Sequence, residues 1–155
     1  MVNFLPSSKL DHEGIARLIP HGGSMCLLER VLACDETHIH CQATSHRLAD
    51  NPLRTAHGLL ATAAIEYAAQ AMAVHGALLA RDTGQIARPG MLASARGVKL
   101  HRLRLDDLRQ PLDVRAERVA GDDRQLLYTF VVSHAGEAVA SGRGAVVLDV
   151  PARAR

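Results

Sequence analysis

GLLATAAIEYAAQAMAVHGALLA, residues 58–80, is the stretch whose reading decides the fold. Nearly every residue is apolar, yet Glu66 sits near the middle with Gln70 one helical turn later. About 20 apolar residues suffice to cross a bilayer, so length alone would allow a membrane span. Composition argues against one. Much of the run is alanine, Glu66, Gln70 and His75 interrupt it, and no basic cluster marks one flank. A helix of a soluble chain that is apolar nearly all round is buried nearly all round. The sequence therefore predicts one long central helix from about residue 58 to residue 80.

A carboxylate inside such a helix has to be neutralised, hydrogen-bonded or put to use. Burial pushes a carboxyl pKa toward neutrality, the range wanted for general acid or base work. On composition alone the plainer reading, a structural Glu66 paired with an arginine across the fold, stands ahead of the catalytic one. Structural ion pairs perturb carboxyl groups as well.

On the N-terminal side of the helix, residues 11–18 (DHEGIARL) predict a short helix with Asp11 as N-cap. Pro20 stops it, and His21-Gly22-Gly23-Ser24 forms a turn whose glycines are free to take unusual backbone angles. Residues 27–33 (LLERVLA) fit helix or strand, and Val31 with the turn residues that follow favours strand. Residues 37–45 (THIHCQATS) alternate, with Ile39, Cys41 and Ala43 on one side and His38, His40, Gln42 and Thr44 on the other, a half-buried strand. A polar loop with Asn51-Pro52 leads into the helix.

Beyond the helix, residues 91–103, 111–119, 125–134 and 138–150 read as four antiparallel strands joined by turns at Gly121-Asp122-Asp123 and Ala135-Gly136-Glu137. Short connections predict that neighbours pair in sequence order. The last strand carries Ala138, Ala140, Gly142 and Gly144 on one face, which lets another backbone approach. One helix cannot bury itself alone. The layout predicts an α+β hotdog fold, a curved antiparallel sheet wrapped around one long central helix, as a single domain over residues 1–155. Such sheets pair edge to edge, which also disposes of an exposed edge strand.

Composition narrows the function. With no Trp, two Tyr and two Phe, the chain lacks the aromatic faces of a nucleic-acid stacking platform. A net charge of +2 implies no strong grip on polyanions, although Arg far outnumbers Lys and suits carboxylate or phosphate contacts. Three cysteines, Cys26, Cys34 and Cys41, show no zinc spacing and read as buried thiols of a cytoplasmic protein. MVNFLPSSKLDHEG has no basic region followed by an apolar one, so no signal peptide is expected.

A second segment stands out. A His after Pro, in a Gly-rich turn that leads into an apolar strand, is held near a strand entrance. PHGGSMCLLERV, residues 20–31, resembles the PHxxPxLLxDRV segment of the hotdog 3-hydroxyacyl-[acyl carrier protein] dehydratases of type II fatty-acid synthesis. IEYAAQAMA, residues 65–73, resembles the helix that carries Glu in that family. Together with DNPLR, residues 50–54, these segments are most similar to the dehydratase-like proteins of aryl-polyene and xanthomonadin-type pigment clusters. The resemblance spans roughly residues 21–76. One departure is plain: where standard dehydratases carry GHFPGxPxMPGV before the Glu, this chain reads NPLRTAHGLLATAAIE, with Leu60-Ala61 in place of Pro-Gly.

The resemblance implies dehydration of a 3-hydroxyacyl thioester carried on the phosphopantetheine arm of an acyl carrier protein, with no metal or organic cofactor. His21 would take the C2 proton and Glu66 would assist departure of the C3 hydroxyl. Gly22, Gly23, Ala61, Thr62 and Gln70 would bind substrate, with backbone N–H groups at the helix start, Ala61 among them, polarising the thioester carbonyl. It also implies an obligate dimer whose sites combine His21 of one copy with Glu66 of the other, or a pairing with a second hotdog subunit. Arg54, Arg81, Arg88, Arg96, Arg102 and Arg104 are candidate contacts to the acidic carrier. Two other readings share the fold: an acyl thioesterase, and a dehydratase-like subunit that shapes a catalytic partner.

Remaining candidates read more plainly. His38 and His40 at i, i+2 have no evident third metal ligand and suit a solvated face. His75 reads as a core histidine. Ser24 lacks a G-x-S-x-G setting, and Cys26 reads as core.

Overall fold

The side chain of Asp11 caps the first helix: Oδ1 accepts from the Gly14 N–H at 2.9 Å, and α1 (His12–Ala16) follows. The computed structural model describes residues 10–149. The start of the segment read for a signal peptide, residues 1–9, and Val150, expected to close the last strand, lie outside the described residues.

Among the described residues, seven strands form one antiparallel sheet. They are β1 (Leu10–Asp11), β2 (Arg30–Cys34), β3 (His38–Ala43), β4 (Gly90–Leu100), β5 (Leu112–Gly121), β6 (Gln125–His134) and β7 (Glu137–Leu148). Alternation sets their inner faces, as expected for β3. Ile39, Cys41 and Ala43 of β3, Val114 of β5, and Tyr128 and Phe130 of β6 are all buried.

The spatial order is β1-β2-β3-β5-β6-β7-β4, which differs from pairing in sequence order. β3 pairs with β5, and β4 crosses to the far edge to pair with β7. The long helix between β3 and β4 is the reason: it carries the chain across the concave face before β4 begins. The small-residue face of β7 is also broken. Val132 lies opposite Ala140 and Ser133 opposite Ala138, so Val139 is an extra residue, and Val139 and Ala140 are both buried while Ala138 is exposed. Further along β7, Gly144 earns its place by packing, since a Cβ there would sit 3.1 Å from Met72 Cε of the central helix.

That helix, α2 (Ala64–Asp82), starts later than its apolar run suggests and is preceded by a 3-10 turn, Ala61–Ala63. Leu59 and Leu60 are held by backbone pairing to a distant part of the chain. Gly58 closes a tight turn with Thr55 at φ +92, Leu59 O accepts from the Leu105 N–H at 2.8 Å, and Leu60 bridges Arg104. Tyr67, Ala68, Ala71, Val74 and Leu78 pack into the sheet's concave face. The helix is not buried all round: Thr62, Glu66, Ala69, Ala73 and Gly76 form a strip that is exposed or half-buried. The architecture is a hotdog fold, one long helix against a multi-stranded antiparallel sheet. No helix among the described residues is long and apolar enough to cross a membrane.

The buried His75 ring finds partners inside this frame at both nitrogens. His75 Nε2 donates to the Asp35 carbonyl at 2.9 Å and Nδ1 lies 2.8 Å from the Tyr128 hydroxyl. Burial pushes the His75 pKa down, so the ring is held neutral. The three cysteines are buried and free.

Candidate functional site

α2 presents Glu66 in its first turn, where the helix dipole favours a carboxylate. The turn after Pro20 brings His21 to the same place, and His21 Nε2 lies 3.3 Å from Glu66 Oε1. Both belong to one chain. The resemblance implied a pair assembled across two subunits; here the short loop from α1 to β2 already reaches over the helix start. The carboxylate is not enclosed either, since the His21 and Glu66 side chains are 29% and 34% exposed. They sit at the rim of the open strip on α2, where a bound molecule could reach them.

Gln70, one turn beyond Glu66 and expected to bind substrate, has its side-chain amide engaged within the chain. It is fully buried. Its Oε1 accepts from the Leu27 N–H at 2.9 Å, and its Nε2 donates to Met25 O at 2.7 Å and to Glu66 Oε1 at 3.2 Å. Both amide protons are therefore taken. Gln70 is a positioning residue that ties the His21 loop to the helix and orients Glu66. An amide at i+4 from a carboxylate was visible in sequence; its third partner, the backbone of a loop far away in the chain, was not.

The helix start is occupied as well. The Ala61 N–H donates to Leu103 O at 3.0 Å, so it is not free for a thioester carbonyl, and the Ala63 N–H donates to Leu60 O at 3.0 Å. Thr62 is exposed and stands four residues before Glu66, which puts it on the same helix face. Gly22 and Gly23 are exposed at the turn; Gly23 takes φ +57, and nothing lies within 4 Å of where a Cβ would sit on either. The left-handed backbone of Gly23 turns the loop, whereas Gly22 is extended at φ −89, a conformation any residue adopts.

A network that sequence reading missed holds the opposite wall. The Tyr67 hydroxyl meets Ser45 Oγ at 2.7 Å and Asn51 Nδ2 at 3.1 Å, and Ser45 Oγ donates to Leu27 O at 2.8 Å. A tyrosine in a buried helix requires a partner for its hydroxyl, and that was the available signal. Behind the His21 turn lies a cavity of about 330 Å³, lined in part by Gly23, Cys26, Glu29 and Asn51. Neither His21 nor Glu66 lines it.

Of the basic residues expected to meet a carrier, three are held within the chain. Arg104 grips Asp106 with Nε at 2.8 Å and Nη2 at 2.7 Å, and Arg54 approaches the same carboxylate at 3.6 Å. The Arg104 hydrogen bonds hold the Asp106 carboxyl down to about 2. Arg88 pairs with Asp149. Elsewhere His40 meets Asp113 at 2.7 Å, and among the described residues no group of three His, Cys, Asp or Glu could hold a metal.

The ApeP-like family model, described as ApeP dehydratase, matches residues 13–151, a range that includes the His21–Glu66 pair and the Gln70 clamp. The chain belongs to the ApeP-like dehydratase family. This ApeP-like chain is similar to a structure of the dehydratase heterocomplex ApeI:P from Xenorhabdus doucetiae, at 26% identity and a TM-score of 0.79 over 90% of this chain and 91% of that one. It also shares its fold with a hypothetical thioesterase with coenzyme A from Streptococcus pneumoniae TIGR4, at 11% identity and a TM-score of 0.52 over 76% and 83% of the two chains. A putative thioesterase from Shewanella oneidensis gives 14% identity and a TM-score of 0.55 over 79% and 82%. No curated protein matches the ApeP-like chain.

Proposed function

We propose that this chain is the dehydratase-like subunit of a heteromeric hotdog complex that removes water from a 3-hydroxyacyl thioester held on an acyl carrier protein, in aryl-polyene synthesis. The observation that carries the reading is the 3.3 Å approach of His21 Nε2 to Glu66 Oε1 at a solvent-open rim. Elimination needs one group to accept the C2 proton and another to protonate the departing C3 hydroxyl, and these two side chains supply both. His21 takes the C2 proton as the C2–C3 double bond forms. The C3–O bond breaks, and Glu66 gives its proton to the leaving oxygen, which departs as water. Direct proton transfer from His21 back to Glu66 resets the pair.

The heteromeric part rests on the open side of the site. The strip of Ala69, Ala73 and Gly76 beside Glu66 is small and apolar, a surface that a second helix can approach closely. The similar ApeI:P structure is a dehydratase heterocomplex. A partner would also close the acyl slot and provide the carbonyl donors that Ala61 cannot.

The occupied Ala61 N–H favours one other reading, a subunit that shapes a catalytic partner without turning over itself. The experiment is mass spectrometry of 3-hydroxyacyl carrier proteins with this chain alone, with its hotdog partner, and with His21→Ala or Glu66→Ala in the complex. Loss of one water by the wild-type complex, abolished by either substitution, is the expected result. Full activity of both variants would support the shaping subunit, and release of free acid would point to a thioesterase.

A further inference from the structure

Resting on the dehydratase reading above, we infer that His21 idles in the free chain with the proton of its neutral ring on Nε2, and that a change of tautomer to Nδ1–H, made when the complex forms, switches the site on. The cycle sets the requirement. The ring must enter with Nε2 bare, take the C2 proton there and return it to Glu66. Its other proton sits on Nδ1 throughout, so the Nδ1–H needs a lasting acceptor.

The free chain offers none. His21 Nδ1 is buried and has no hydrogen-bond partner among the described residues. A buried N–H without an acceptor loses the water it bonded when unfolded, and such orphan donors are rare. The second nitrogen is favoured by charge as well. Nε2 lies 3.3 Å from Glu66 Oε1, where an ionised carboxyl attracts an N–H and repels a bare lone pair.

Three other histidines of this chain show the rule. His46 has the same buried, unpartnered Nδ1, and its Nε2 lies 2.9 Å from the Leu108 carbonyl, which only accepts. Its proton is therefore on Nε2, and the bare lone pair is what stays unpaired. His75 likewise carries its proton on Nε2, against Asp35 O. His12 is the opposite case: Nδ1 lies 2.8 Å from the Leu28 carbonyl, so that nitrogen holds the proton. In each ring the proton goes where a carbonyl accepts it. His21 has no such carbonyl at Nδ1. The turn that carries it has room to supply one. Nothing lies within 4 Å of where a Cβ would sit on Gly22 or Gly23. Gln70 pins Met25 O and the Leu27 N–H, which confines a shift to the residues before Met25. Such a shift, driven by assembly, brings an oxygen to Nδ1 and leaves Nε2 bare.

The test is imidazole nitrogen NMR of the isotope-labelled full chain at about pH 8.5, above the range in which histidines ordinarily titrate. The His21 signals are identified by their loss in His21→Asn. His46 and His75 supply the Nε2–H pattern for comparison, and His12 supplies the Nδ1–H pattern. In the free chain His21 should show Nε2–H in excess by about tenfold or more. Bound to its unlabelled hotdog partner, it should show the Nδ1–H pattern. Glu66→Gln in the free chain should keep the Nε2–H pattern, because the buried Nδ1 is unchanged. An Nδ1–H ring in the free chain, or an unchanged ring in the complex, would overturn the inference. So would a flip to Nδ1–H in Glu66→Gln, which would assign the preference to the carboxylate alone. No substrate is present in these spectra, so failure of the dehydration assay leaves the tautomer result standing. An Nδ1–H ring in the free chain would in turn leave the dehydration reading intact.

Discussion

Replacing Gln70 by leucine keeps the volume of a fully buried side chain and removes its three hydrogen bonds. The Leu27 N–H is left without an acceptor in a residue that is almost wholly buried, and Met25 O loses its donor in a half-buried one. One fully buried backbone group and one partly solvated group left unpaired cost about 2–3 kcal/mol together. For a chain of this size each kcal/mol lowers the melting temperature by about 2–4 °C, so Gln70→Leu should melt about 5–10 °C below wild type. Gln70→Glu separates the contacts. It keeps an acceptor for the Leu27 N–H but turns a carboxyl oxygen toward Met25 O and Glu66, where only a donor is welcome. Its folded-state pKa should lie above the unfolded value, so its stability deficit should grow as pH rises through about 4–7 and shrink in acid. Thermal melts followed by circular dichroism across that range measure both effects. If Gln70→Leu melts with wild type, the clamp contributes nothing and the account of how His21 is held is wrong.

Other outcomes follow from single features. At Gly58, with φ +92, a Cβ would collide with the Arg104 guanidinium and lie 2.6 Å from Asp106 Oδ2, so Gly58→Ala should lower stability by about 2 kcal/mol or more in a denaturant titration. The Asp106 carboxyl is held down to about 2, chiefly by Arg104. Its stabilisation is complete above the unfolded value of about 3.9 and is lost as pH falls through about 2. Asp106→Asn should therefore be less stable at neutral pH, with a gap to wild type that closes over that acid window in equilibrium melts. In the β6–β7 turn Ala135 takes φ +49 before Gly136 at φ +82, a pair of left-handed residues that suits Asn-Gly. Ala135→Asn should stabilise by about 0.5–1 kcal/mol, and an unchanged unfolding midpoint would contradict that reading of the turn.

The strands and the helix were legible because their periods are local. Alternation through His38 to Ala43 and the alanine-rich run both depend on which neighbours share a face. Strand order was not legible, because the pairing of β4 with β7 depends on where the helix delivers the chain. Nor was the true start of α2, since Leu59 and Leu60 are fixed by Leu105 and Arg104 from beyond β4. The site divides in the same way. His21 and Glu66 were marked by their sequence settings, and the structure brings them together. The expectation of a carboxylate sealed in the core failed because the strip of α2 that carries Glu66 stays open. The roles of Gln70 and Ala61 turned on tertiary partners, Met25, Leu27 and Leu103, that no spacing in the chain reveals.

The most direct measurement is turnover by the assembled hotdog complex in which only this chain carries His21→Ala, read as loss of one water from a 3-hydroxyacyl carrier protein. The account predicts that turnover falls at least about a hundredfold while the complex stays assembled. Wild-type turnover from that complex would show that the imidazole 3.3 Å from Glu66 is not where the proton moves.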